Sequence, residues 1–351
     1  MEHNGKIRFF SACIICVFVL IYNIILNLNL SENNAIILEK VPQTSGQKEE
    51  KNSENSKEDK EKESQTEPSN KSEENTQNKQ QSVSVNTEAV KGKIIKNYIS
   101  PYTAPLSYNK VYLKNSTGTE IDIKTLLNSS LSFKIQKNNE PQVLILHTHA
   151  TESFMAESSD FYTAEYTSRS TETNKNMVGI GEIIAKKLND EGIKTLHSKT
   201  LHDYPSYSGS YTRSAKTVNE YLKKYPSIKI VLDLHRDAVS SGESNKVKLV
   251  TSINGKEAAQ VMLVMGSGTG SVTNFPNWKE NLKLALKLQQ TLEVKFPTLA
   301  RPLSLASKNY NQSLSKGALL IEFGTDANSL EEVKYSAQMV AESLVSLLNT
   351  L

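Results

Sequence analysis

A long polar stretch over residues 43–87 restricts where this chain can build a packed fold. The stretch contains no aromatic residue, and its only large apolar side chains are Val83 and Val85. Such a composition cannot bury enough apolar surface to offset the entropy that is lost when a backbone becomes ordered. We therefore predict a disordered linker over residues 30–89. Its acidic and basic residues are mixed, and the net charge of the chain is only +3, so a nucleic-acid partner is not expected.

An apolar segment with few polar interruptions precedes this linker, over residues 9–28. At about 1.5 Å rise per residue, a helix of this length just crosses a hydrocarbon core roughly 30 Å thick. Lys6 and Arg8 precede the segment and no cluster of positive charge follows it closely, so the positive-inside rule leaves residues 1–8 in the cytoplasm. A small-x-small cleavage site is missing, which favours an uncleaved transmembrane helix over residues 9–29 rather than a signal peptide.

Both cysteines, Cys13 and Cys16, lie inside this apolar segment. The part that we expect outside the membrane therefore has no disulfide, and no thiolate that could bind a metal or act as a nucleophile. Any metal chemistry there must use histidines and carboxylates.

Apolar runs and helical patterns alternate from residue 141 onward. Buried strands are predicted from continuous apolar runs at residues 143–146, 228–232, 260–265 and 318–321. Helices are predicted from apolar spacings of three and four at residues 177–188, 213–225, 278–296 and 330–348. This alternation indicates an α/β domain over residues 141–351, with a mixed, mostly parallel sheet and helices on both faces. Residues 90–140 form an approach segment to which we assign no role.

Histidines or carboxylates follow three of the predicted strands. In open sheets of this kind, ligands bind beyond the carboxyl ends of the strands. The residues that follow the three strands are His147, His149 and Glu152; Asp233 and His235; and Glu322. Each of them alone has an ordinary structural explanation, such as a cap or an exposed carboxylate. Their coincidence at one edge of one sheet indicates a functional site.

These residue types suit a catalytic zinc site. Such a site takes three imidazole or carboxylate ligands and keeps one position for water, whose pKa falls towards about 7. A separate carboxylate must then take the proton of the water and pass it to the leaving amine. We predict His149, Glu152 and His235 as ligands and Glu322 as the general base, with His147 as a rival to His149.

Other polar groups near these strands have open roles. Arg236 is a candidate to polarise a carbonyl or hold a substrate carboxylate, and the alternative is a structural pair with Asp233 or Asp237. For His197 and His202 we expect a structural or substrate-rim role. The glycine-rich loop at residues 266–270 lacks a lysine at Walker spacing, so it is not predicted to cradle phosphate.

Four stretches together resemble the stage II sporulation protein P family. They are LILHTHATESF (residues 144–154), NMVG (176–179), LDLHRD (232–237) and LIEFG (320–324). The resemblance covers the chain from about residue 90 to its end. It implies a peptidoglycan amidase and endopeptidase that acts in forespore engulfment. It also implies the sporulation proteins D and M as partners, and a C-terminal domain between the mother-cell and forespore membranes.

More distantly, the order of these motifs is similar to zinc N-acetylmuramoyl-L-alanine amidases and to zinc carboxypeptidase-like hydrolases. The carboxypeptidase-like pattern corresponds to His149, Glu152, His235 and Glu322. The amidase pattern has its ligand glutamate later, which corresponds to Glu172. We prefer Glu152, because three residues after His149 it can share one metal ion. Two alternatives to an amidase remain open, a non-catalytic peptidoglycan-binding scaffold and a metallocarboxypeptidase that acts on free peptides.

Overall fold

The computed structural model describes residues 90–351. The predicted cytoplasmic tip, transmembrane helix and linker lie outside the described residues. Within residues 90–351, none of the helices combines the length and the apolar character that a membrane crossing requires.

The described part contains strands and helices over most of its length. The strands are β1 (Val90–Asn97), β2 (Leu106–Tyr108), β3 (Val111–Asn115), β4 (Val143–Leu146), β5 (Phe161–Thr163), β6 (Thr195–His197), β7 (Ile230–Asp237), β8 (Ser240–Ser241), β9 (Asn245–Ile253), β10 (Lys256–Ala259), β11 (Val261–Gly266), β12 (Leu303–Ala306) and β13 (Ala318–Thr325). The α-helices are α1 (Ile123–Asn128), α2 (Met177–Asp190), α3 (Ser210–Lys224), α4 (Trp278–Lys295) and α5 (Leu330–Leu348).

The larger sheet has eight strands in the order β2-β3-β12-β11-β13-β7-β4-β6. Its pairs are parallel except β2 with β3 and β11 with β13, which are antiparallel. The predicted mixed α/β architecture is therefore confirmed. Strands β4, β7 and β13 lie side by side and parallel, so the polar residues that follow or end them meet at one edge.

Helices cover both faces of this sheet. Alternate residues of each strand point to opposite faces, and both faces carry apolar side chains that pack against a helix. Val143 and Ile145 belong to the large core that includes Ile180, Ile184 and Leu188 of α2. Leu144 and Leu146 instead pack in a second core with Val218 of α3 and Val231 of β7. Each fully buried aliphatic side chain of this kind stabilises the fold by about 1.5–3 kcal/mol.

A second sheet was not predicted from the sequence. Its order is β10-β9-β1-β5, and β8 pairs with the first residues of β9. Strand β1 runs parallel to β9, with Ile94 opposite Lys246. The approach segment thus supplies β1 to this sheet, and β2 and β3 to the larger one. Charged residues concealed these strands: β1 has a single buried position, and the buried stretch of β9 includes Lys248.

A candidate metal and catalytic site at the edge of the larger sheet

Strands β7 and β13 bring two of the predicted site residues side by side. His235 and Glu322 are register partners in this parallel pair, so their side chains leave the sheet as neighbours on the same face. Asp233 is two residues before His235 and shares this face, while Leu232 and Leu234 point into the large core. The two leucines that point into the core thus fix the face of the sheet on which Asp233 and His235 lie.

His147 points to the opposite face. It follows Leu146, is fully buried, and has both ring nitrogens in hydrogen-bond contact. Nδ1 lies 3.1 Å from the carbonyl oxygen of Leu234, and Nε2 lies 2.9 Å from Nε2 of His197. Burial and the neighbouring His197 lower the pKa of His147 to about 3. His147 therefore has no free nitrogen for a ligand at the site of His235.

The turn after β4 is held by two aspartates. Thr148 donates to both carboxylate oxygens of Asp233, from its backbone N–H at 2.8 Å and from its hydroxyl at 2.6 Å. Thr151 donates in the same way to Asp203, at 3.1 Å and 2.6 Å. Directly after the second anchor, the N–H of Glu152 donates to the carbonyl of His149 at 3.2 Å. This turn places the side chains of His149 and Glu152 beside β7.

The three predicted ligands meet there. The rings of His149 and His235 stand edge to face, with centroids 5.2 Å apart. Nδ1 of His235 lies 3.5 Å from Oε2 of Glu152, and Nε2 lies 3.0 Å from Oδ1 of Asp233. The rival ligand Glu172 is elsewhere, with its side chain more than half exposed and paired with Lys175 at 2.8 Å. The geometry thus groups His149, Glu152 and His235, and leaves Glu172 out.

The charges of this group depend on each other. Burial acts against the charged form of His235, but the carboxylates of Asp233 and Glu152 outweigh it and raise the pKa of His235 well above its usual value. Burial alone would raise the pKa of Glu152, yet the hydrogen bond and charge of His235 bring it down to about 2. Burial lowers the pKa of His149 to about 4. His149 is therefore neutral at neutral pH, as a metal ligand must be.

Glu322 has a different environment. Its Oε2 is buried without a hydrogen-bond partner. Burial, together with the negative charge of Asp237, raises the pKa of Glu322 to about 8. A carboxyl group with such a pKa can both accept and release a proton near neutral pH.

Two unpaired atoms of the site fit a metal ion or its water. Nδ1 of His149 and Oε2 of Glu322 are buried polar atoms without a hydrogen-bond partner in the described residues. Buried polar atoms are rarely left so unless a water molecule, an ion or a substrate contacts them. No three His, Cys, Asp or Glu side chains of residues 90–351 already stand in the arrangement of a metal site. The donor types and the unpaired nitrogen of His149 nevertheless suit zinc.

Arg236 faces the backbone. Its Nε donates to the carbonyl of Ser153 at 2.8 Å, and its Nη2 donates to that of Ser168 at 2.6 Å. Nη1 donates to the carbonyl of Asp237, and the backbone N–H of Arg236 donates to Oε2 of Glu152 at 3.1 Å. The buried guanidinium thus ties the segment after β4 to β7. This geometry favours the structural alternative, although the bonds go to carbonyl groups rather than to the side chains of Asp233 or Asp237.

The other two histidines of residues 90–351 also support the turn. His202 is buried, with Nδ1 at 2.7 Å from the carbonyl of His147 and Nε2 at 2.9 Å from the hydroxyl of Thr217. His197 contacts His147, and its Nδ1 lies 3.4 Å from Glu182. The sequence left two roles open for these histidines, a structural one and one at the rim of a substrate site. Their contacts correspond to the structural role.

Two tyrosines near His149 were not predicted from the sequence as part of the site. The ring of Tyr207 is stacked on His149 with centroids 4.5 Å apart, and Tyr211 meets it edge-on at 5.6 Å. Arg169 lies over the ring of Tyr207, with Cζ 4.7 Å from the centroid. The tyrosines come from the loop before α3 and from its first turn, so a search for polar residues after strands could not find them.

Comparison with known proteins identifies the family. The model of the family "Stage II sporulation protein P (SpoIIP)" matches residues 19–345. The chain belongs to this family. The resemblance drawn from four short stretches is thereby confirmed. The stage II sporulation protein P of Bacillus subtilis (strain 168) is 31% identical over 213 residues, which are 57% of this chain and 49% of that protein. This family member therefore spans about half the length of the relative it matches.

Solved structures give weaker likenesses. The apo N-acetylmuramyl-L-alanine amidase Ami1 from Mycobacterium abscessus is 15% identical at a TM-score of 0.36, over 60% of this chain and 99% of that one. The CwlD amidase from Clostridioides difficile, solved with the GerS lipoprotein, is 12% identical at a TM-score of 0.36, over 60% and 97%. At such TM-scores these likenesses support no conclusion about the chemistry of this chain.

Proposed function

We propose that this member of the stage II sporulation protein P family is a zinc-dependent peptidoglycan hydrolase. The bond that it cleaves is the amide between the lactyl group of N-acetylmuramic acid and L-alanine. One observation carries the proposal: His149, Glu152, His235 and Glu322 meet at one sheet edge, and a buried atom of His149 and one of Glu322 have no partner. Family membership supports a role in sporulation.

The ligands would be the ring nitrogens of His149 and His235 and the carboxylate of Glu152. A zinc ion bound there supplies a water molecule of lowered pKa and polarises the scissile carbonyl. Asp233 accepts two hydrogen bonds from Thr148 and stands 3.0 Å from Nε2 of His235, so it orients this imidazole. Such outer carboxylates fix the orientation of metal-bound histidines.

Glu322 handles the proton in this proposal. It lies next to His235 in register, and burial raises its pKa to about 8. Its unpaired Oε2 takes a proton from the attacking water and then gives a proton to the leaving amide nitrogen. Because the leaving group departs as an amine only after protonation, one carboxyl group can serve both steps.

The setting of this reaction is also part of the proposal. We propose that the apolar segment over residues 9–29 anchors the chain in the membrane, with the hydrolase domain outside the cytoplasm. We propose further that it acts in engulfment with the sporulation proteins D and M, and that it can also cut peptide cross-links. These statements rest on the resemblance and on the predicted segment.

The test is stem-peptide release from purified sacculi. The chain should liberate peptides with a new L-alanine N-terminus, and a chelator should stop the release. Glu322→Gln should bind zinc and fold as the wild type does, but release nothing. The matched control is Glu172→Gln, whose carboxylate is exposed and outside the site. Sacculi bound without any release would refute the proposal in favour of a non-catalytic scaffold, and release only from free peptides would favour a carboxypeptidase.

A further inference from the structure

One exposed guanidinium group lies beside the turn that carries two of the predicted ligands. Arg169 belongs to the segment after β5, and its backbone forms an antiparallel bridge with that of Glu152. The next residue, Ser170, donates from its N–H to the carbonyl of Thr151 at 2.8 Å. The main chain of Arg169 therefore runs alongside this turn, while 41% of its side chain is exposed.

Two contacts hold the side chain of Arg169 in place. Nη1 donates to Oδ2 of the buried Asp203 at 2.6 Å and to the hydroxyl of Thr151 at 3.2 Å. The guanidinium carbon Cζ lies 4.7 Å from the centroid of the Tyr207 ring, which is stacked on the ring of His149. Burial is the main cause of the low pKa of His149, and the positive charge of Arg169 adds to it. The cation is thus held one aromatic ring away from a predicted ligand.

These contacts leave one edge of the guanidinium without a partner. Of its three nitrogens, Nη1 alone donates a hydrogen bond within residues 90–351. Nε and Nη2 carry parallel N–H groups on one edge of the planar group, and such an edge matches the two oxygens of a carboxylate. Arg169 therefore offers a donor pair for one carboxylate, on a side chain that Asp203 already holds in position.

The other arginines of residues 90–351 do not offer such an edge to a substrate. Arg236 uses all three of its side-chain nitrogens on backbone carbonyl groups. Arg213 of α3 does the same, with the carbonyl groups of three residues before α3. Arg301 has unpaired nitrogens, but only 3% of its side chain is exposed. Within the described part, Arg169 is therefore the arginine that a substrate at this site can reach.

The proposed substrate carries a carboxylate close to the bond that is cut. The scissile amide nitrogen belongs to L-alanine, and the next residue of the stem peptide is D-glutamate, which continues through its side chain and keeps its α-carboxylate free. The Cα atom of this D-glutamate lies one peptide unit, about 3.8 Å, beyond that of L-alanine. A cation one aromatic ring away from a metal ligand is at the right range to meet this carboxylate.

We propose that Arg169 binds the α-carboxylate of D-glutamate in the stem peptide and makes the hydrolase selective for stems in which this group is free. Stems that are amidated to D-isoglutamine present a neutral amide with a single acceptor oxygen to the same edge. The inference rests on the proposed function, because it assigns the substrate class of that same site.

The test uses two substrates that differ only in this group. Uncross-linked peptidoglycan strands are polymerised from lipid II that carries either D-glutamate or D-isoglutamine as its second residue. Release of stem peptides from each gives kcat and KM. A charge-assisted hydrogen-bond pair should give the wild type a preference of about tenfold in kcat/KM for the D-glutamate strands, expressed mainly in KM.

The decisive variant is Arg169→Gln, which should lose this preference and keep its rate on the amidated strands. Arg169→Lys keeps a positive charge for Asp203 but lacks the N–H pair, so it should fold in any case and show a reduced preference. The matched control is Lys175→Gln, which removes an exposed cation of the same segment that is paired with Glu172 outside the site. Its preference should equal that of the wild type.

The outcomes separate this inference from the proposed function. Equal kcat/KM of the wild type on both strands would overturn the role of Arg169 and leave the hydrolase intact. A preference that persists in Arg169→Gln, or an equal loss on both strands in this variant, would overturn it as well, since the residue would then act only on the structure. A wild-type chain that releases peptides from neither strand would instead refute the proposed function.

Discussion

Two histidines that stand two positions apart, His147 and His149, differ in every respect that matters for a ligand. His147 lies on the face of α2, fully buried, with both ring nitrogens in contact with other groups. His149 lies on the face of α3 and keeps Nδ1 without a partner. A continued strand would place these two residues on the same face, but β4 ends at Leu146 and the turn that follows it redirects His149. In a metal-ligand motif that follows a strand, each residue therefore has to be assigned to a face of the sheet before it is counted as a ligand.

The largest expected effect is on turnover. His235→Ala should lower stem-peptide release roughly a thousandfold or more, because it removes a ligand at the centre of the group. His147→Ala should retain most of the activity per folded, zinc-loaded molecule. The measurement is the initial rate on sacculi, normalised to zinc content. An equal loss in both variants would show that the two faces are not functionally distinct.

The next effect separates stability from metal binding. His147→Ala removes a buried ring and the contacts to Leu234 and His197, so the free energy of unfolding should fall by about 2–4 kcal/mol. His149→Ala should change it by less, since one of its nitrogens is already unpaired, but should remove zinc binding. Urea titration of the metal-free proteins and chelator competition give the two quantities. The reverse pattern would contradict the assignment of faces.

The pH dependence of stability should have opposite signs at the two histidines of the metal-free chain. The folded pKa of His147, about 3, lies below its ordinary value of 6.5, so its contribution is lost progressively as pH falls from 6.5 towards 3. The folded pKa of His235 lies well above 6.5, so its contribution is full below 6.5 and is lost as pH rises through the folded value. Urea titrations at a series of pH values give the free energy of unfolding as a function of pH. His147→Asn should flatten this curve on the acid side, and His235→Asn should flatten it on the alkaline side. If both variants changed the curve on the same side, the opposite pKa shifts assigned to His147 and His235 would be wrong.

The smallest effect is expected at Glu172, the ligand in the amidase-like correspondence. Its pair with Lys175 is exposed and contributes about 0–1 kcal/mol to stability. Glu172→Gln should therefore leave zinc affinity unchanged, whereas Glu152→Gln should weaken it strongly. Loss of zinc in Glu172→Gln would mean that the loop around this residue folds over the site when metal binds.

Much of the fold could be predicted because buried strands and amphipathic helices leave strong patterns. The run at Val143–Leu146 and the helix at Leu330–Leu348 have the bounds that the sequence indicated. The second sheet was missed, since β9 carries lysines at positions such as Lys246 that are satisfied by tertiary partners, here Asp326. Pairing of that kind leaves no periodic signal in the sequence.

The candidate site was predictable only in part. His149, Glu152, His235 and Glu322 could be proposed because they follow or end apolar strands. Tyr207 could not, because it reaches His149 from a loop that is distant in sequence and held by Arg213 and Asp203. The backbone contacts of Arg236 were equally hidden, since they depend on the path of the segment after β4.

The most direct test of the central claim is an anomalous-difference map of the zinc-loaded protein, recorded on both sides of the zinc absorption edge. We expect one peak on the face of α3, about 2.0–2.2 Å from donor atoms of His149, Glu152 and His235. A peak between His147 and His197 on the opposite face, or one at Glu172, would contradict it.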